Sequence, residues 1–219
     1  MLSQLPATHR RNERARFQRG FNLLELMVTL TLLVILVLLA LPSLATWIHN
    51  TEIRTVAEAL QNGMRSSQAE AVRLNRQVVV TFTNDSDPRL NPTPVAGGIK
   101  WAAQTVASPY DQPISNTPVF LGAGVFTSVA SGVGITGQGG SYPAICFNAN
   151  GRLIGPVSGV TATSSCTISS GTTSPVTLQA SMSTDAQSRP LNVTVSLGGQ
   201  VRMCDPNRPA LSTATPDGC

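Results

Sequence analysis

Histidine is nearly missing from this chain of 219 residues: His9 and His49 are the only two, so none lies beyond residue 49 to serve as a general base or metal ligand. Aromatic residues make up 5% and charged residues 12%, which leaves little material for a nucleic-acid surface. No G-x-S-x-G elbow and no C-x-x-C pair occurs, and neither a P-loop nor a G-x-G-x-x-G opens a helix. Carboxylates Asp85, Asp87, Asp111, Asp185, Asp205 and Asp217 are scattered among turn formers, where an Asp caps or turns the backbone. These absences argue against an enzyme, and they imply neither a cofactor nor a metal.

Charge is also missing in one long block. Leu26 to Thr51 is a run of 26 residues without Asp, Glu, Lys or Arg, and Met27 to Leu41 is almost all Leu, Val, Ile and Thr. At ~1.5 Å per residue such a run spans a bilayer core of ~30 Å. Glu25 is the acidic residue at its edge. A carboxylate in a membrane-spanning helix costs roughly 2.5 to 3.5 kcal/mol at mid-bilayer and less near the surface, so a partner is required, and an amine fits. Residues 1–20 hold Arg10, Arg11, Arg14, Arg16 and Arg19 against Glu13, five minus one, which accounts for the whole formal charge of +4. A basic arm before an apolar helix stays on the cytoplasmic side by the positive-inside rule. An ordinary secretory signal would carry its cleavage site after the apolar core, whereas here an Arg-Gly|Phe junction precedes it.

The segment RGFNLLELMVTLT at 19–31 resembles the class III signal of type IV prepilins and pseudopilins, with Gly20 before the cut, Phe21 as first mature residue and Glu25 as the fifth. Pro42 stands where many members of this family have a helix-loosening proline. The resemblance implies cleavage after Gly20 and N-methylation of Phe21 by a prepilin peptidase. It further implies that Glu25 registers subunits through the Phe21 amine of a neighbour. The partners so implied are other pilins and minor pilins, the peptidase, the inner-membrane assembly platform and the inner membrane itself.

Beyond the apolar run, helical periodicity continues. Ile53, Ala57, Leu60, Met64, Ser67, Ala71 and Leu74 recur in steps of three and four, with Glu52, Arg54, Glu58, Arg65, Glu70 and Arg73 mostly elsewhere. One face must pack on something, and Gln77 to Phe82, rich in β-branched residues, begins the sheet that receives it. The remaining strands expected are Ile99–Gln104, Val119–Leu121, Val125–Val129, with Gly122 between these last two, and Ala144–Asn148. Asn84 to Gly98 and Ser158 to Ser174 read as loops. A terminal hairpin joins Leu191–Leu197 to Gln200–Cys204 through Gly198-Gly199 as a two-residue primed turn. The fold class is α+β: a long N-terminal helix, half membrane-embedded and half amphipathic, packed on a small antiparallel β-sheet head. The organisation is a leader at 1–20, a membrane and filament-core helix at 21–48, and a periplasmic head at 49–219, helical to about residue 75.

ICFNANGR at 145–152 and GGQVRMCDP at 198–206 narrow the resemblance to the GspH/FimT branch of minor pilins and pseudopilins, whose members pack the helix against two small sheets. Cys146, Cys166, Cys204 and Cys219 all lie beyond the span, an even number on the oxidising side, with three possible connectivities. Pairing Cys146 with Cys166 and Cys204 with Cys219 is favoured, because each pair brackets a loop with little core of its own; closing a ~15-residue loop is worth ~3 kcal/mol.

The favoured reading is a minor pilin that serves in type IV pilus assembly. Two alternatives are a pseudopilin of a type II secretion system and a FimT-like minor pilin that takes up DNA. The latter family pattern is a C-terminal G-R-x-R, and here Gly199, Gln200, Val201, Arg202 lacks its first arginine. Arg202 and Arg208, with Arg152 and Arg189, are the candidates for phosphate contact. A head of net charge near zero disfavours DNA binding.

Overall fold

A computed structural model describes residues 20, 22–89, 91–107, 118–126, 132–139, 142–156, 166, 174–183, 185, 187–209 and 214–219, the side chains of Pro42 and Pro156 excepted. The leader up to Arg19, Phe21, Asp111, residues 127–129 and all of the 158–174 loop but Cys166 and Ser174 lie outside the described residues. The described chain forms one helix, α1 (Leu23–Leu74), then β1 (Val78–Thr83), β2 (Lys100–Thr105), β3 (Phe120–Val125), β4 (Val133–Gln138), β5 (Ala144–Phe147), β6 (Leu153–Pro156), β7 (Val176–Met182), β8 (Leu191–Val195) and β9 (Val201–Cys204). It divides into two compact units, residues 1–43 and residues 44–219.

In the second unit α1 buries Ile53, Val56, Ala57, Leu60, Met64, Ser67 and Ala71, the expected face widened by Val56; Leu74 at its end is half-buried. The Ser67 hydroxyl donates to the Gly63 carbonyl at 2.7 Å, so a polar group on this face is satisfied inside the helix. Asn75 ends the helix in the left-handed region at φ 51°. The Arg76 N–H donates to Ala71 O at 3.1 Å and the Asn75 N–H to Val72 O at 3.2 Å, the two bonds of a Schellman cap.

The strands form two antiparallel sheets, ordered β3-β2-β1-β5-β6 and β4-β7-β8-β9. Both present an apolar face to α1: Val78, Val80, Phe82, Ile145 and Phe147 from the first, and Val176, Leu178, Ala180, Val193 and Val195 from the second. Each of these Val, Leu, Ile and Phe side chains, fully buried, contributes roughly 1.5 to 3 kcal/mol, which is why a helix with one apolar stripe docks here. Strand β1 is buried along its whole length, because its other face has cover too: Val79 packs with Val106, Ala144, Cys146 and Cys166. At the seam, the Leu153 N–H of β6 donates to Leu197 O, beyond β8, at 3.2 Å.

Several expectations are corrected. The break expected at Gly122, between Val119–Leu121 and Val125–Val129, is absent: β3 runs unbroken through Gly122 and Gly124 to Val125, and residues 127–129 lie outside the described residues. Glycine serves packing here, since a β-carbon at Gly124 would overlap the Trp101 indole on β2. Strands β4, β6 and β7 were not expected. Strand β7 alternates buried and half-buried residues at period two, a readable signal, whereas β4 is a Gly-rich VGITGQ whose pairing with β7 supplies what its composition does not. The terminal hairpin closes through a three-residue loop, Leu197–Gly199, not a two-residue primed turn. Its bonds are Ser196 N–H to Gln200 O at 2.9 Å and Gly199 N–H to Ser196 O at 2.8 Å, and of the two glycines only Gly199 has positive φ.

Candidate functional site

In the first unit α1 is apolar on every side. Leu23, Leu24, Leu33, Leu36 and Leu39 are each more than half exposed, so no single stripe faces a core, the pattern of a helix that is buried in lipid or among other helices. Its 18-residue apolar window meets the length and composition needed to cross a membrane. The polar groups inside it look after themselves: Thr29 and Thr31 hydroxyls donate to Leu26 O at 3.0 Å and Val28 O at 2.8 Å. Gly20 and Glu25 are exposed, and Glu25 lies in the first helical turn. The helix dipole favours a carboxylate there by about 0.3 to 1 kcal/mol, less than the roughly 2.5 to 3.5 kcal/mol of deep burial. Glu25 has no ion-pair partner among the described residues. The backbone stays helical through Pro42, and the division between units falls one residue on.

In the second unit a polar row beside the apolar face of α1 ties down both sheets. Gln61 accepts from the Met203 N–H at 3.2 Å once its amide is turned to face donors. The Arg65 guanidinium donates to Val201 O at 3.0 Å, and Gln68 Nε2 donates to Gly151 O at 2.9 Å. Residues 61, 65 and 68 share one face by the i, i+4, i+7 rule. Gln61 and Arg65 occupy edge groups of β9 that would otherwise invite another strand, and Gln68 holds the turn between β5 and β6. Gly199, at φ 91°, sits so close to the Gly151 carbonyl and the Gln68 amide that a β-carbon would overlap both. The two segments that carry the sequence resemblance therefore meet at one point against the helix.

The disulfides are Cys146–Cys166, which roofs the outer face of β1, and Cys204–Cys219, which closes the tail. Inside the tail loop the Asp205 N–H donates to Asp217 O at 2.7 Å, and Arg208 Nη1 lies 2.9 Å from Asp217 Oδ1. The four arginine candidates are not one patch. Arg208 and Arg189 share a cleft of about 450 Å³ with Asn50 and Arg54. Arg202 lines a different hollow with Thr194 and Gln200, and Arg152 projects exposed beside the Gly151 turn.

Where α1 enters the second unit, it is strapped to the loop between β7 and β8. His49 Nδ1 lies 2.7 Å from Asp185 Oδ2, and Asn50 Oδ1 accepts from the Arg189 N–H at 2.7 Å. The bond from His49, then those from the Gln187 and Ser188 N–H groups, hold the Asp185 carboxyl below the usual carboxylate range. Asp85 is held low chiefly by the Thr93 N–H at 2.7 Å.

The sequence model of the type II transport protein GspH matches residues 56–199. The chain belongs to the GspH family. The matched region of this GspH-family chain covers most of the amphipathic half of α1, from Val56, and the strands up to the β8–β9 loop, and leaves out both Glu25 and the tail disulfide. No curated protein matches the chain by sequence. Among solved structures it is similar to the type IV minor pilin FimU of Pseudomonas aeruginosa, with 15% identity over 73% of this chain and 94% of FimU and a TM-score of 0.47. It is also similar to the minor pseudopilin EpsH of the Vibrio cholerae type 2 secretion system, with 14% identity over 72% and 99% and a TM-score of 0.42. GspH of E. coli gives 14% identity over 74% and 95%, with a TM-score of 0.42.

Sequence reasoning missed the polar row and the strap. Gln61, Arg65 and Gln68 look like solvated positions of an amphipathic helix, since nothing local tells which strand edge they meet. His49 reads in the sequence only as the last of two histidines. One signal for the row existed: two glutamines and an arginine at helical spacing beside the apolar stripe.

Proposed function

We propose that this protein is a minor pilin, a structural subunit that is cut after Gly20, N-methylated at Phe21, and built into a type IV pilus through its N-terminal helix. The carrying observation is the first part of α1, apolar all round with Glu25 in its first turn and no counter-charge among the described residues. Removal of the leader exposes the Phe21 amine, and in a stack of such helices that amine reaches the carboxylate of the adjacent copy. Charge is then neutralised in apolar surroundings, where an ion pair is far stronger than in water. Before assembly the helix holds the subunit in the inner membrane with its head in the periplasm, and the assembly platform draws it out. No catalytic step belongs to the protein itself; in its maturation it is the substrate.

A second reading has one observation behind it: the family that matches is described from type II transport, so a pseudopilin of a secretion machine uses the same helix and the same maturation. The Cys204–Cys219 closure inclines the reading to the pilus, because a filament exposed outside the cell gains from a tail that cannot fray. DNA uptake is less favoured, since Arg202 and Arg208 lie in separate hollows and not in one row.

Mass spectrometry of the protein from its native host tests the reading. The expected species begins at N-methyl-Phe21, and Gly20→Val, which puts a side chain at the cut, leaves the leader attached. A host protein found only with its leader would refute the proposal. Which sheared filament contains the mature form, pilus or pseudopilus, separates the two machines.

A further inference from the structure

We propose that the cleft formed by Asn50, Arg54, Arg189 and Arg208 binds the phosphate of an anionic phospholipid headgroup, in the leaflet where α1 leaves the bilayer. The inference rests on the membrane reading of residues 21–48. Asn50 and Arg54 stand two and six residues beyond Ile48, about 3 and 9 Å along the helix axis. Trp47, 67% exposed, precedes them at i, i+3 and i+7 on the same helix face. An exposed indole at this height is the usual anchor at the headgroup level, and Asn50 and Arg54 follow it within about two turns of helix.

One uncommitted guanidinium and the shape of the cleft fit one phosphodiester. The lining carries Arg54, Arg189 and Arg208 against the carboxylates of Asp205 and Asp217, and Glu58, which holds Arg54 from outside the lining, balances the third guanidinium. Arg208 is committed to those carboxylates at 2.9 and 3.8 Å, and Arg54 to Glu58 at 2.8 Å. Arg189 has no side-chain partner among the described residues, while its backbone N–H is pinned to Asn50. A free guanidinium on a fixed backbone presents the bidentate fork that matches two phosphate oxygens. The Asn50 amide keeps an NH2 group to donate beside it. Leu191 and Met203 supply an apolar wall, which suits glycerol and the first acyl carbons but is of no use to inorganic phosphate. A choline headgroup would bring a second cation against Arg189, so the site selects anionic lipids.

The test is native mass spectrometry of full-length mature protein in detergent, mixed with equal amounts of phosphatidylglycerol and phosphatidylcholine. Phosphatidylglycerol should be retained on the order of tenfold over phosphatidylcholine, the equivalent of ~1.4 kcal/mol. Arg189→Gln should abolish that preference and Arg202→Gln, outside the cleft, should leave it intact. Equal retention of both lipids, or the same preference in Arg189→Gln, would overturn the proposal. Displacement of the lipid by millimolar inorganic phosphate would reassign the cleft to a free anion, and displacement by duplex DNA to nucleic acid; either outcome defeats the lipid claim. Flotation of the same protein with phosphatidylcholine vesicles scores membrane insertion separately. A chain that fails to float refutes the membrane reading, and one that floats without lipid preference refutes only the cleft.

Discussion

Adjacent glycines at the tip of the β8–β9 hairpin should respond to alanine in opposite ways. At Gly199, φ is 91°, a region that costs a side-chain-bearing residue of order 1–3 kcal/mol. Its new β-carbon would also overlap the Gly151 carbonyl and crowd Gln68, breaking the 2.9 Å bond between them, worth about 0.5–1.5 kcal/mol. Gly199→Ala should therefore destabilise the second unit by roughly 2–4 kcal/mol. Gly198 is outside the positive-φ region, and its nearest non-neighbouring atom would be Ser196 Oγ at 3.8 Å. There alanine only restricts the unfolded chain, so Gly198→Ala should be neutral or stabilise by up to about 1 kcal/mol. The assay is urea titration of full-length protein in a mild detergent, read by Trp101 fluorescence in a Trp47→Phe background. At a slope of ~2 kcal/mol per molar, a loss of ~3 kcal/mol moves the midpoint down by about 1.5 M. Gln68→Ala should cost about 1 kcal/mol alone and almost nothing on top of Gly199→Ala, since the bond is already lost. Coincident midpoints for the two glycine variants, or additive losses in the double variant, would refute this account of the helix–hairpin junction.

Glu25→Ala should leave processing intact while lowering recovery in sheared filaments severalfold, because the amine of the next copy loses its counter-ion; recovery at wild-type level would refute the registration role. Replacing Cys204 and Cys219 by alanine together removes a closure of 15 residues, worth ~3 kcal/mol of unfolded-state constraint. Amide exchange should then accelerate at Asp205 and Gly218, paired in the structure, while β1 stays protected; unchanged exchange in the tail would contradict the assignment. For Asp185, whose folded pKa is lowered by His49, the stabilisation is present above the unfolded value of about 3.9 and lost as pH falls through the folded value. The stability gap between wild type and Asp185→Asn should thus be widest above about pH 5 and close on acidification below pH 4; a gap that is flat across that range would show that the strap does not depend on the carboxylate.

Features set by neighbouring residues were legible without any contact map. The uncharged run from Leu26 to Thr51 and the helical spacing from Ile53 to Ala71 state their period locally, so the helix and its buried face follow from the residues alone. The same holds for β1, where QVVVTF is extended by β-branched crowding, and for the two-part fold class. Tertiary contact settled what local pattern leaves degenerate. Gly122 reads as a breaker until β3 is seen to run through it beneath the Trp101 indole, and four cysteines allow three pairings until the strands and the tail bring particular ones together. Gln61, Arg65 and Gln68 acquire a purpose only because two sheet edges arrive beside one helical face. The arginines separate for the same reason: Arg208 and Arg189 converge from the tail and the β7–β8 loop on Asn50, while Arg202 faces away from them. Periodicity encodes which side of an element is apolar; it carries no record of which distant backbone group that side will meet, and that choice belongs to the packed chain.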